Sequence, residues 1–187
     1  MSRNWYILHT YTGYEGKIER TIKLLLEKNE VSSEVILDVK VPVEELVEIK
    51  DIPVFNKPAD KQVPVEILEI AAKIEEADGV IIGTPEYDHS IPAVLMSALA
   101  WLSYGIYPLL NKPIMITGAS YGTLGSSRAQ LQLRQILNAP EIKASVLPDE
   151  FLLSHSLQSF NPSGDLVDLD VIKKLDATFD DYRIFVK

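Results

Sequence analysis

The stretch Gly79-Val80-Ile81-Ile82-Gly83-Thr84-Pro85-Glu86-Tyr87-Asp88-His89-Ser90-Ile91-Pro92 carries the pattern of an α/β architecture. Its first part is a short apolar run between glycines, a strand apolar on both faces as parallel strands are. A polar loop follows over residues 84–90. Residues 91–102 then read as a helix, with Pro92 in the first turn, where a missing N–H costs nothing. Strand, loop and helix in this order make the first half of a βαβ unit. Working outward toward the end of the chain, residues 113–117 repeat the buried-strand pattern and residues 126–137 the helix. Residues 143–147 form a short strand, and 170–186 a terminal helix with Leu175, Phe179 and Tyr182 on one face.

Toward the start, residues 65–77 are a helix with Ile67, Ile70, Ala71 and Ile74 at helical spacing. Before it lies a loop marked by Pro53, Pro58 and Pro64. Residues 5–9 read as a strand, 14–28 as an amphipathic helix, and 34–41 as a half-buried strand of alternating apolar residues. Residues 46–50 offer a further strand, and either this or 34–41 takes the edge position. The alternation predicts one α/β domain over residues 1–187, a doubly wound parallel sheet joined by right-handed crossovers. Ligands of such sheets lie outside the carboxyl ends of the strands.

Composition narrows the function. The 187 residues are 47% hydrophobic and 24% charged, an ordinary globular balance, so disordered and low-complexity classes are excluded. No apolar run reaches the ~20 residues of a membrane span, and the first residues lack a secretory apolar region. With no cysteine there is no thiolate nucleophile or cysteine-based zinc site, and a cytoplasmic setting is expected. The net charge of −9 disfavours a nucleic-acid binder, and neither residues 1–50 (7 Lys and Arg, 9 Asp and Glu) nor the remainder is basic. His9, His89 and His155 are scattered, so no metal is expected. Ser120 and Ser127 lack a nucleophile elbow, and no Lys-Ser or Lys-Thr follows the glycines of 118–125.

Three loops between a strand and a helix are therefore the candidate site. They are Thr10-Tyr11-Thr12-Gly13-Tyr14-Glu15-Gly16, Thr84 to Ser90, and Gly118-Ala119-Ser120-Tyr121-Gly122-Thr123-Leu124-Gly125-Ser126-Ser127. Each leads into a helix N-terminus, whose free N–H groups and dipole favour anions. Each alone also reads as a capped turn.

From about residue 45 onward the chain resembles the NADPH-dependent FMN reductase family, flavodoxin-like proteins that include quinone, azo-dye and chromate reductases. Gly83 to Pro92 matches the family's G-x-P-E-Y-N-x-S-x-P, and the Gly118 to Ser127 loop is followed by Arg128-Ala129. The resemblance implies a five-stranded, three-layer α/β/α fold. It implies FMN as cofactor, NADPH or NADH as donor, and a small-molecule electron acceptor. It places Pro85, Glu86, Tyr87, Asp88 and Ser90 against the flavin, with Ser120, Tyr121, Gly122 and Thr123 on its other edge. The flavin carries the chemistry, so no catalytic side chain is required. Asp88 departs from the family's usual Asn, and its carboxylate accepts but cannot donate. The family is commonly oligomeric, and residues 93–110 carry more apolar surface than one helix face buries, so a homodimer or homotetramer is expected.

Residues 1 to about 50 instead resemble the N-terminal domain of NusG-like transcription factors. Asn4 to Glu15 and Val39-Lys40-Val41-Pro42-Val43-Glu44-Glu45 carry that likeness. The two resemblances together imply a chimera, natural, engineered or computed de novo, of a βαβ segment and an FMN-reductase-like segment, 51–187. The rest of a NusG-type domain has no counterpart in the sequence. Thr10, Thr12 and Gly13 retain the outline of a flavodoxin phosphate loop, with Gly13 able to adopt positive φ. The loop has no Arg, and Glu15 stands beside it, so it reads equally as a capped turn. A folded chimera without activity, or a NusG-derived protein-binding module, is the alternative to a flavin enzyme.

Overall fold

The computed structural model describes residues 52–60, 62–162 and 164–187. All of them fall within one compact unit, Val47–Lys187. The elements expected at 5–9, 14–28, 34–41 and 46–50, and the single-domain reading of 1–187, lie outside or reach beyond the described residues.

The described elements are α1 (Val65–Glu76), β1 (Val80–Gly83), α2 (Ala93–Leu102), β2 (Pro113–Ala119), α3 (Ser127–Leu137), β3 (Ser145–Val146), β4 (Phe151–Leu153), α4 (Ser156–Ser159) and α5 (Leu169–Phe185). β2 is central. It pairs in parallel with β1, Val80 opposite Ile114 and Gly83 opposite Thr117. It also pairs in parallel with β3 and β4, which meet it at successive heights. Side chains alternate along β2, as a strand requires. Ile114 and Ile116 enter a core with Ile67 and Ala71 of α1, Leu95 and Leu99 of α2, and Ala129 and Leu133 of α3. Met115 faces the opposite way, into a second core with Leu147 and Tyr182 of α5. The result is a three-layer α/β/α fold with a parallel sheet, four strands of which are described.

Several sequence expectations are corrected. β1 is not apolar-buried on both faces: Val80 and Ile82 are half-buried in the α1–α3 core, while Ile81 is exposed. Pro92 is not in the first turn of α2. It is the N-cap, with ψ 144° and its carbonyl accepting from Met96 N at 3.1 Å. On α5, Thr178 and Tyr182 are buried and Leu175 is half-buried, while Phe179 is exposed.

The strand expected at 143–147 shortens to β3, and a piece the sequence does not announce, β4, continues the pairing with β2 after it. Between the β3 and β4 pairings the chain gains two residues against β2. Pro148 lies in that excess and has no N–H for a ladder. Arg134 of α3 stitches the interruption, with Nη1 donating to the Leu147 carbonyl at 2.6 Å and Nη2 to the Asp149 carbonyl at 2.8 Å.

The apolar surplus expected on α2 is largely covered by residues 52–58. Trp101 Nε1 donates to the Pro53 carbonyl at 2.8 Å, and Phe55 meets Trp101 edge-on at 4.8 Å between ring centres. Val94, Met96, Tyr107 and Leu110 stay exposed. Among the described residues no helix is long and apolar enough to cross a membrane, and no cluster of three acidic or histidine side chains is placed to hold a metal.

Candidate functional site

β1 and β2 run parallel in adjacent positions, so their following loops leave the same edge of the sheet. Thr84 N extends the ladder one step, donating to the Thr117 carbonyl at 2.9 Å. Gly118 lets the two loops touch there. A Cβ at this position would collide with the Thr84 carbonyl oxygen and with Ser126 Oγ. The loops at Pro85–Ser90 and Ser120–Thr123 therefore stand side by side at the carboxyl edge.

The first loop closes on itself. Tyr87 N donates to the Ser90 carbonyl and Ser90 N to the Tyr87 carbonyl, both at 2.9 Å. Between them Asp88 and His89 have φ 49° and 65°, the twin positive values of a type I′ turn. A left-handed residue other than glycine costs roughly 1–2 kcal/mol. Asp and Asn tolerate that region best among residues with a side chain, so Asp88 suits the turn's first left-handed position.

The helix α3 holds this loop at both ends. Glu86 Oε2 accepts from Arg128 N at 3.0 Å and Ala129 N at 3.3 Å, capping a helix whose own N-cap, Ser126, supplies no side-chain cap. Burial alone would raise the Glu86 carboxyl. The two backbone donors, with His89 and the Arg128 charge, outweigh it and hold the group below the ordinary glutamate value. His89 Nδ1 lies 3.5 Å from Glu86 Oε1, and the Arg128 guanidinium lies against the His89 imidazole. At the far end, Gln132 Oε1 accepts from Ser90 Oγ at 3.0 Å and from Ile91 N at 2.9 Å.

The second loop is gripped by the end of β4 and the segment after it. Ser120 N donates to the Leu153 carbonyl, Ser156 N to the Ser120 carbonyl, and His155 N to the Gly122 carbonyl at 3.0, 3.0 and 3.1 Å. Ser154 Oγ donates to the Thr123 carbonyl at 2.7 Å. The N–H groups of Tyr121, Gly122 and Thr123 donate to nothing among the described residues. Tyr121 is 74% exposed and, on the neighbouring loop, Tyr87 is 62% exposed. A Cβ at Gly122 would meet open space.

Two exposed aromatic rings and a run of free backbone donors on adjacent loops suit a flat, apolar ring system with polar edges. A flavin fits these residues. Of the expected site residues, Pro85, Glu86, Tyr87, Asp88, Ser90, Ser120, Tyr121, Gly122 and Thr123 share this edge. The side chains of Glu86 and Ser90 are engaged with α3. Thr10, Thr12 and Gly13 lie outside the described residues. The sequence gives no sign of Gln132 or Ser154 at this site, offers His155 only as a scattered histidine, and shows Arg128 only as part of a motif. These residues partner the loops across 31 to 42 positions of sequence or through β4, and no local pattern signals such pairings.

Fold and site define a flavodoxin-like scaffold. Among solved structures, FerB, a flavoenzyme NAD(P)H:(acceptor) oxidoreductase from Paracoccus denitrificans, aligns with a TM-score of 0.66 at 22% identity. The alignment covers 96% of this chain and 92% of that one. The sequence pattern described as NADPH-dependent FMN reductase matches residues 12–158, and the chain belongs to that family. The NADH:(hydroxy)cinnamate reductase subunit CrdA of Vibrio ruber is 53% identical over 144 residues, 76% of this chain and 71% of that protein. The NADH-dependent flavin reductase subunit 2 of Lactobacillus johnsonii is 44% identical over 149 residues, 76% of this chain and 80% of that protein. A 51-residue stretch, 27% of this chain, is 45% identical to the transcription termination/antitermination protein NusG of Treponema pallidum and covers 28% of it. The chain is a flavin-binding, NAD(P)H-dependent oxidoreductase scaffold of the FMN and quinone reductase type, with FMN as cofactor.

Proposed function

We propose that the paired loops after β1 and β2 hold the flavin ring, and that the protein passes electrons from a reduced nicotinamide nucleotide to a small-molecule acceptor such as a quinone. The observation that carries this reading is the run of N–H groups at Tyr121, Gly122 and Thr123, which donate to nothing among the described residues, beside the exposed Tyr87 and Tyr121. Pro85, the backbone of Glu86 and Asp88, and Ser120 complete the ring site. Bound FMN supplies the hydride and electron transfer, and the loops bind and orient it. NADH is the favoured donor, since two relatives are named for it. Gly122 gives the test, because its missing Cβ leaves open space and its φ is ordinary. Gly122→Phe is expected to fold with an unchanged melting temperature and to lose FMN and riboflavin binding by fluorescence quenching. Wild-type affinity in that variant would refute the site.

The finer architecture follows the same reading. The sheet has a fifth strand, the setting is cytoplasmic, and the protein is a homodimer or homotetramer. Val94, Met96, Tyr107 and Leu110, exposed around α2, support self-association. Two relatives named as subunits favour a second reading, pairing with a different polypeptide. Residues 1 to about 50 are a NusG-like segment joined to the reductase body, a reading supported by the 51-residue identity. The Thr10, Thr12 and Gly13 loop, with no Arg and with Glu15 beside it, is a weak phosphate site. Replacing residues 1–50 by the matching segment of a family member is expected to raise FMN affinity roughly ten- to a thousandfold and leave riboflavin unchanged. Equal affinities before and after would remove the chimera's functional consequence.

A further inference from the structure

We propose that Gln132 is a positioning residue for the flavin, acting through the Pro85–Ser90 loop; this rests on the ring site proposed above. Gln132 lies half-buried in the second turn of α3, and its side-chain oxygen takes two donors from the loop's exit, Ser90 Oγ at 3.0 Å and Ile91 N at 2.9 Å. The backbone donor fixes the amide orientation, since only the oxygen can accept from an N–H, and the Ser90 hydroxyl must then donate. The entrance of the same loop is held to the same helix by Glu86. Between these two attachments sits the Asp88–His89 turn, with both residues at positive φ. A strained turn keeps its shape only when its surroundings over-determine it. The helix is thus a rigid jaw. Gln132 sets where the loop ends, and so where Tyr87 and the Asp88 backbone stand relative to the free donors of Tyr121–Thr123. A residue on a helix, away from the ligand, fixes the geometry of a loop at its edge.

Two substitutions separate position from packing. Gln132→Leu keeps the volume and removes the acceptor; Gln132→Glu keeps an oxygen for both donors. Titration of purified protein with FMN and with riboflavin, read by fluorescence quenching and by the visible bands of the bound flavin, measures the effect. The melting temperature is recorded alongside. Gln132→Leu is expected to weaken both flavins equally, by about tenfold, 1.4 kcal/mol, and to shift the bound flavin's visible bands. Gln132→Glu is expected to stay within about twofold of the wild type. Ser90→Ala, which removes one of the two donors, is expected to give a smaller loss in the same direction. Wild-type affinity and bands for Gln132→Leu would overturn the proposal. Equal losses in Gln132→Leu and Gln132→Glu that track melting temperature would overturn it too, assigning Gln132 to stability alone. A wild-type protein that binds neither flavin would bring down the ring site itself, and this inference with it.

Discussion

Glu86 sits in the loop that the sequence nominates for the flavin, and its carboxylate is spent on a helix 42 residues away. The sign of its effect on stability follows from the lowered titration of the group. Its contribution is fully present above the ordinary glutamate value and is lost as pH falls through the depressed folded value. Glu86→Gln removes that dependence while leaving one oxygen for the Arg128 and Ala129 donors. Urea unfolding midpoints across the acid range are expected to fall less steeply for the variant. At neutral pH the loss of the charged cap is expected to cost about 0.5–2 kcal/mol. Parallel curves for the two proteins would show that the cap is not what lowers the group. At this scale the sequence is only partly legible. Its order of Pro85, Glu86, Tyr87 and Asp88 marks a binding loop, and the positive φ of Asp88 agrees with the residue type found there. That Glu86 and Ser90 turn inward to Arg128, Ala129 and Gln132 depends on how α3 packs, which no spacing within the motif encodes.

Elements with strong periodicity are read well from the sequence, and interrupted ones are not. Residues 65–77, 113–117 and 126–137 correspond to α1, β2 and α3 within one or two residues, because the helices repeat apolar positions at helical spacing and the strand is an unbroken apolar run. β4 escapes the same reading. Pro148, Asp149 and Glu150 break the alternation before it, and its three residues are too few to show a period of their own. What restores the edge is Arg134, a side chain of α3 that donates to two carbonyls of the break. Charge-assisted hydrogen bonds contribute about 1.5–3 kcal/mol each, and partial exposure of this arginine places the effect toward the low end. Arg134→Ala, which removes both, is expected to cost about 3 kcal/mol and to raise hydrogen exchange at residues 147–153, with α1 and β1 unaffected. Uniform exchange across the sheet, or no change, would mean that the edge holds itself. Because β4 leads into Ser154 and His155, which grip the second loop, the same variant is expected to weaken flavin binding.

For the molecule as a whole, the three-layer fold around one parallel sheet and two loops meeting at one edge of it are consistent with a scaffold that positions a cofactor and leaves the chemistry to it. The apolar side chains left exposed around α2 lead to an expectation of self-association, and light scattering at micromolar concentration is expected to report a dimer or tetramer. A monomer there would leave Val94, Met96, Tyr107 and Leu110 for another partner. The decisive measurement is an anaerobic absorbance scan of the purified protein saturated with FMN and separated from free flavin, before and after NADH or NADPH is added. The expected result is a protein fraction that keeps the yellow bands of oxidised flavin and loses them on addition of the nicotinamide nucleotide. A colourless protein fraction, or bound flavin that neither nucleotide bleaches, would contradict the account.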